Sequence, residues 1–70
     1  MKMVDIRYLN KKGDEIQQLC LTEAQTRLAE EMDNGNIVYD EDEKRIVERA
    51  TLGKIKADAK VAVLPRVAGG

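Results

Sequence analysis

Apolar residues along this chain follow two rhythms. Val4, Ile6 and Tyr8 alternate with Asp5 and Arg7, a period of two that predicts a half-buried strand. Asn10-Lys11-Lys12-Gly13-Asp14 follows and reads as a polar turn, with a glycine able to take positive φ. Glu15 to Leu21 predicts a second strand, completing an N-terminal hairpin. Ile16, Leu19 and Leu21 break strict alternation, so a bulge or register change is expected there.

The rhythm then changes. Thr22-Glu23-Ala24-Gln25 has the form of a capping box: the Thr22 hydroxyl accepts from an early helix amide, and Gln25 reaches back to the cap. Glu23 complements the positive end of the helix dipole. Ala24, Leu28 and Met32 recur every four residues, with Ala29 beside them, so an amphipathic helix is expected. Asn34-Gly35 ends it, Gly35 being suited to the left-handed position just past the last turn. Ile37-Val38-Tyr39 predicts a third strand, Asp40 to Lys44 a charged turn, and Arg45 to Glu48 a fourth strand. Leu52 and Ile55 have helical spacing, but Gly53 weakens a long helix, so Ala50 to Lys60 reads as a loop with a short helical turn. Val61 to Leu64 is the last strand, closed by Pro65.

The expected order is therefore strand, strand, helix, strand, strand, helical turn, strand. That is an α+β domain over residues 1–65, with a mixed sheet of four to five strands packed on one helix. The first and last strands are the most regularly apolar and are expected at the sheet centre. As neighbours they run parallel, because the helix lies between them as a crossover. Residues 66–70 form a tail outside the domain. If Val61 and Val63 face the helix, Leu64 stands exposed at the base of that tail as a candidate docking residue.

Composition narrows the chemistry. Seventy residues make one small domain that is marginal without support. Cys20 is the single cysteine and histidine is absent, so neither a disulfide nor a Cys/His metal site supplies it. Lying between Leu19 and Leu21 with no imidazole to activate it, Cys20 is expected to be a buried structural thiol. One unpaired cysteine fits a reducing compartment. No run approaches the roughly 18 apolar residues of a membrane span, and Asp5 and Arg7 interrupt any secretory signal. A cytoplasmic protein is expected.

Net charge is −1, but its distribution is uneven. Between Arg27 and Lys44 lie Glu30, Glu31, Asp33, Asp40, Glu41, Asp42 and Glu43 with no base among them. The run is read as a solvated face or loop, with an acidic patch for a basic partner as the alternative. Asp40 to Glu43 lacks the spacing of a calcium loop, Arg45 standing where the turn glycine belongs. Gly53-Lys54 lacks the rest of a phosphate loop: Glu48 replaces the first glycine and Ile55 the Ser/Thr. Dispersed bases and only two tyrosines give no nucleic-acid platform. No constellation for acid/base or covalent catalysis is visible, so the chain reads as a non-enzyme.

Another feature remains. The final strand runs through Pro65 into Arg66-Val67-Ala68-Gly69-Gly70. Glycine gains nothing by packing and loses most entropy when ordered, which suits a segment that is handled rather than folded. The element order and this motif together resemble the ubiquitin-like β-grasp superfamily, and most closely the sulfur carriers of the MoaD/ThiS type. Those typically finish in a strand followed by Pro-Pro-Val-Ala-Gly-Gly. This chain matches five of the six positions, Arg66 replacing the second proline. Upstream, Asp58 stands where the family often has an acidic, glycine-containing turn, and the glycine is missing.

The resemblance implies that an ATP-dependent adenylating enzyme activates the Gly70 carboxylate. Arg66, Val67, Ala68 and Gly69 then dock in that enzyme's channel. Sulfur transfer from a sulfurtransferase gives a thiocarboxylate, passed on in molybdopterin, thiamine or tRNA thiolation biosynthesis. It implies no bound cofactor, ATP being used by the partner, and a carrier that is monomeric when free. Arg66 also lies where ubiquitin has an arginine in its tail, so a protein modifier joined to target lysines through Gly70 is the alternative. A non-covalent binding module using the acidic surface is a further one.

Overall fold

β-Branched and alternating segments pair first. In the computed structural model, which describes residues 2–10 and 13–65, β1 is Val4–Asn10 and β2 is Gly13–Leu19. They pair antiparallel in one unbroken register from Val4 opposite Leu19 to Asn10 opposite Gly13. The expected bulge does not exist. The strand ends at Leu19, two residues earlier than expected, and Leu21 belongs to the helix. Within β2 itself Leu19 shares the face of Val4, while Ile16 falls on the opposite face beside Arg7.

Helix α1 spans Leu21–Asp33, with Cys20 as its cap residue and no side-chain cap bond. The capping box expected at Thr22 is therefore incorrect. Beginning at Leu21 puts Leu21, Ala24, Leu28 and Met32 on one stripe against the core, and burial of that stripe outweighs a cap worth about 1 kcal/mol. Thr22 becomes the second helical residue, its carbonyl accepting from the Thr26 hydroxyl at 3.1 Å. Gln25 is half-buried and donates to the Leu52 carbonyl at 3.4 Å rather than reaching back to the cap. Cys20 lies outside the strand and is half-buried, which corrects the expectation of a buried strand thiol.

The helix stops as its sequence predicts. Gly35 takes φ 85°, its amide donates to the Met32 carbonyl and the Asn36 amide to the Glu31 carbonyl, both at 3.0 Å. These two bonds satisfy carbonyls that the helix end leaves open. β3 follows as Ile37–Asp40, then β4 as Arg45–Ile46. β4 is only two residues long; just beyond it Val47 is buried and its amide donates to the Val38 carbonyl at 2.8 Å. A short helix, α2, covers Arg49–Leu52, and β5 is Lys60–Leu64.

The five strands form one mixed sheet in the order β2-β1-β5-β3-β4. β1 and β5 are the parallel central pair, and β3 runs antiparallel to β5. Helix α1 covers one face. Val4, Ile6, Ala24, Leu28, Val38, Val61 and Val63 form the centre of the core, extended by Val47, Ile55 and Ala59 from the β4–β5 connection. The fold is α+β with a sheet, one main helix and a helical turn. No helix among the described residues is long and apolar enough to cross a membrane.

Candidate functional site

β5 carries the segment that the sequence singles out. Val61, Ala62 and Val63 are buried, and β1 and β3 hydrogen-bond to β5 on either side. Valines at these positions suit a pleat closed in by neighbours. The strand is pinned as far as Leu64, which pairs with Ile37, and Pro65 is exposed immediately after it. Arg66, Val67, Ala68, Gly69 and Gly70 lie outside the described residues. The described chain thus ends one residue past a strand that is paired on both sides.

Leu64 differs from its expectation. The valines do face the helix, but Leu64 is half-buried rather than exposed. Its strand neighbours explain this. Ile37 is paired beside it, and the parallel register with β1 that joins Arg7 to Ala62 brings Leu9 alongside on the other flank. A side chain in a central strand is shielded by both neighbours even where no second layer covers the face.

Among the described residues, no element covers that face, the one opposite α1. Across it the register aligns Ile16, Arg7, Ala62, Tyr39 and Ile46 in a single row, each residue paired with the next. Leu64 and Ile37 form the next row toward the chain's end. Ile16 is 61% exposed, Ile46 59% and Ile37 43%. These three isoleucines are functional candidates that the sequence reading passes over. Their signal was parity: once Leu19 faces the core, Ile16 cannot, and once Val47 turns inward, Ile46 faces out.

The far end of the same face is charged. Arg7 donates to Glu41 at 2.9 Å, and Asp5 and Lys60 flank the pair around a hollow of about 310 Å³. Both partners are partly exposed, so this pair fixes orientation more than it adds stability. The face therefore grades from apolar near Leu64 to charged near Lys60.

The acidic run is committed to internal contacts. Asp40 is buried, and its Oδ1 accepts from the Asp42 amide at 2.9 Å and the Glu43 amide at 3.1 Å. Asp42 accepts from the Lys60 amide at 3.1 Å. Glu41 holds Arg7, and Glu43 lies 3.7 Å from Lys56. Asp33 is paired with Arg49, and Glu31 accepts from the Asn36 amide group at 2.7 Å. Among the described residues, no group of three or more His, Cys, Asp or Glu side chains is arranged to hold a metal ion.

Comparison with protein-family models, curated proteins and solved structures finds no match to this chain. What it can do is therefore argued from its own residues. The described part offers no cleft lined by convergent reactive groups. It offers a rigid central strand with a terminal segment attached, and an uncovered apolar face that begins at the same point.

Proposed function

We propose that this chain is a ubiquitin-like sulfur carrier of β-grasp fold, used through the Gly70 carboxylate. The observation that carries the reading is the Pro65-Arg66-Val67-Ala68-Gly69-Gly70 segment following directly on β5. Two features support it. The strand order, with its parallel central pair and crossover helix, is compatible with a β-grasp domain. The apolar part of the open sheet face adjoins Leu64, so a partner that receives the tail also meets Ile37 and Ile46.

A carboxylate is a poor electrophile and requires activation. In this reading a Gly70 oxygen attacks the α-phosphate of ATP within an adenylating enzyme, releasing pyrophosphate and leaving an acyl adenylate. A sulfide-equivalent sulfur then displaces AMP to give the thiocarboxylate. Glycines at positions 69 and 70 let the backbone enter a channel that a Cβ would obstruct. Pro65 favours an extended base for the stalk, which lowers the entropy lost on docking.

Arg66 favours a second reading. A base at this position belongs to the ubiquitin tail rather than to the carrier pattern, so conjugation of Gly70 to lysines is the alternative product of the same adenylate. The internal commitments of Asp40 to Glu43 leave the acidic-surface reading without comparable support. The test is incubation with ATP and a ubiquitin-activating-like adenylating enzyme, followed by mass spectrometry of the C-terminal peptide. An adenylate on the intact chain, and none after deletion of Gly70, is the expected result. Equal reaction of the truncated chain rejects the proposal.

A further inference from the structure

The sheet has two outer edges, and they are built differently. β4 is two residues long and carries a charged residue, Arg45. Lys44 precedes it at φ 56°, which ends regular pairing there. Short, charged, kinked edges are the usual protection against unwanted strand pairing. β2 is neither short nor kinked, and its two charges, Asp14 and Glu15, both lie in its first half. It runs seven residues without proline or interruption, in regular register with β1, and among the described residues no strand lies beside its outer backbone groups.

Its sequence is also complementary to itself. Gly13-Asp14-Glu15-Ile16-Gln17-Gln18-Leu19 has acids in one half and amides in the other, with Ile16 at the midpoint. We infer that β2 joins a second copy of β2 antiparallel, about a two-fold axis at Ile16. That axis pairs all seven residues of the strand. It sets Glu15 opposite the second copy's Gln17, and Asp14 opposite its Gln18, twice each by symmetry. Glu15 meets an amide donor, and no acid stands opposite an acid. Shifting the pairing by two residues toward the acids would set Glu15 against Glu15, so the charge pattern selects the centred register.

Ile16 gives this pairing its apolar contact. It is 61% exposed on the uncovered face, beside Arg7, and directly opposed strand residues share a face. The two Ile16 side chains therefore meet across the axis. The result is a continuous ten-stranded sheet with each helix on its own half. β5 lies two strands inward from the joined edge, so the contact leaves β5 untouched. The inference is independent of the proposed function and departs from the expectation of a free monomer.

The test is sedimentation equilibrium of the full chain over a concentration series into the millimolar range, with two exposed-strand variants. Wild type is expected to show a reversible monomer–dimer equilibrium. Ile16→Glu opposes two carboxylates at the axis and removes the dimer, with an unchanged circular dichroism spectrum. Gln17→Lys places an ammonium opposite Glu15 twice per dimer and tightens association by about tenfold. Isotope-filtered NMR on a mixed labelled and unlabelled sample adds inter-chain contacts between Gly13 and Leu19. A wild-type chain that stays monomeric throughout overturns the inference. So does a dimer that Ile16→Glu preserves, or one that Gln17→Lys does not tighten. If Ile16→Glu fails to fold, the Gln17→Lys shift and the inter-chain contacts decide.

Discussion

Asp40 does more for this fold than its place in an acidic run suggests. The residue is 5% exposed, and one carboxylate oxygen takes the amides of Asp42 and Glu43. Two backbone donors satisfied by one buried acceptor close the turn between β3 and β4. Asp42 then fastens that turn to β5 by accepting the Lys60 amide. Asp40→Ala strips both amides of their acceptor and is expected to cost about 1–3 kcal/mol, measured by urea denaturation. Loss below the error of the fit would mean that water replaces the carboxylate freely. In the sequence these residues were legible only as charge. Which acid is buried depends on the pleat: the register puts Asp40 beside Val61 on the covered face, and no local pattern reports that pairing. Leu64 was misjudged for the same reason, since its shielding comes from Ile37 and Leu9 on other strands.

At the level of elements, local signals succeeded where one chain segment holds all the partners. Gly35 is such a case. The motif that ends α1 needs a left-handed residue between Asn34 and Asn36, and φ 85° is what the structure has. Gly35→Ala is expected to lower stability by about 1–2 kcal/mol, because a Cβ is strained in that region. Thermal melts of the two proteins check it, and equal midpoints would show that the helix end can re-form without that conformation. The start of the same helix was misread. Thr22 and Gln25 satisfy the capping pattern, but Leu21 must join the helix to reach the core, so the cap moves to Cys20. The supposed bulge in β2 had the same origin: Leu21 was counted in the strand. Tertiary burial of one leucine thus accounts for both errors. Gly53 weakened the helix forecast correctly, α2 ending at Leu52.

For the molecule as a whole, the order of elements and the parallel central pair were legible in the sequence, because crossover geometry allows few alternatives. It did not reveal the uncovered face, which exists only once five strands are in register. That face reaches Leu64, where β5 ends, and in the proposed function the sheet presents a glycine-ended stalk to an enzyme. In that proposal the Gly70 carboxyl group is the reactive part. Intact-mass analysis of the protein purified from its own cells, with sequencing of its last peptide, tests this most directly. The account predicts a fraction in which one oxygen of the Gly70 carboxylate is replaced by sulfur, absent from a strain lacking the adenylating enzyme. A terminus that carries only oxygen under every growth condition, with no conjugates through Gly70, would contradict it.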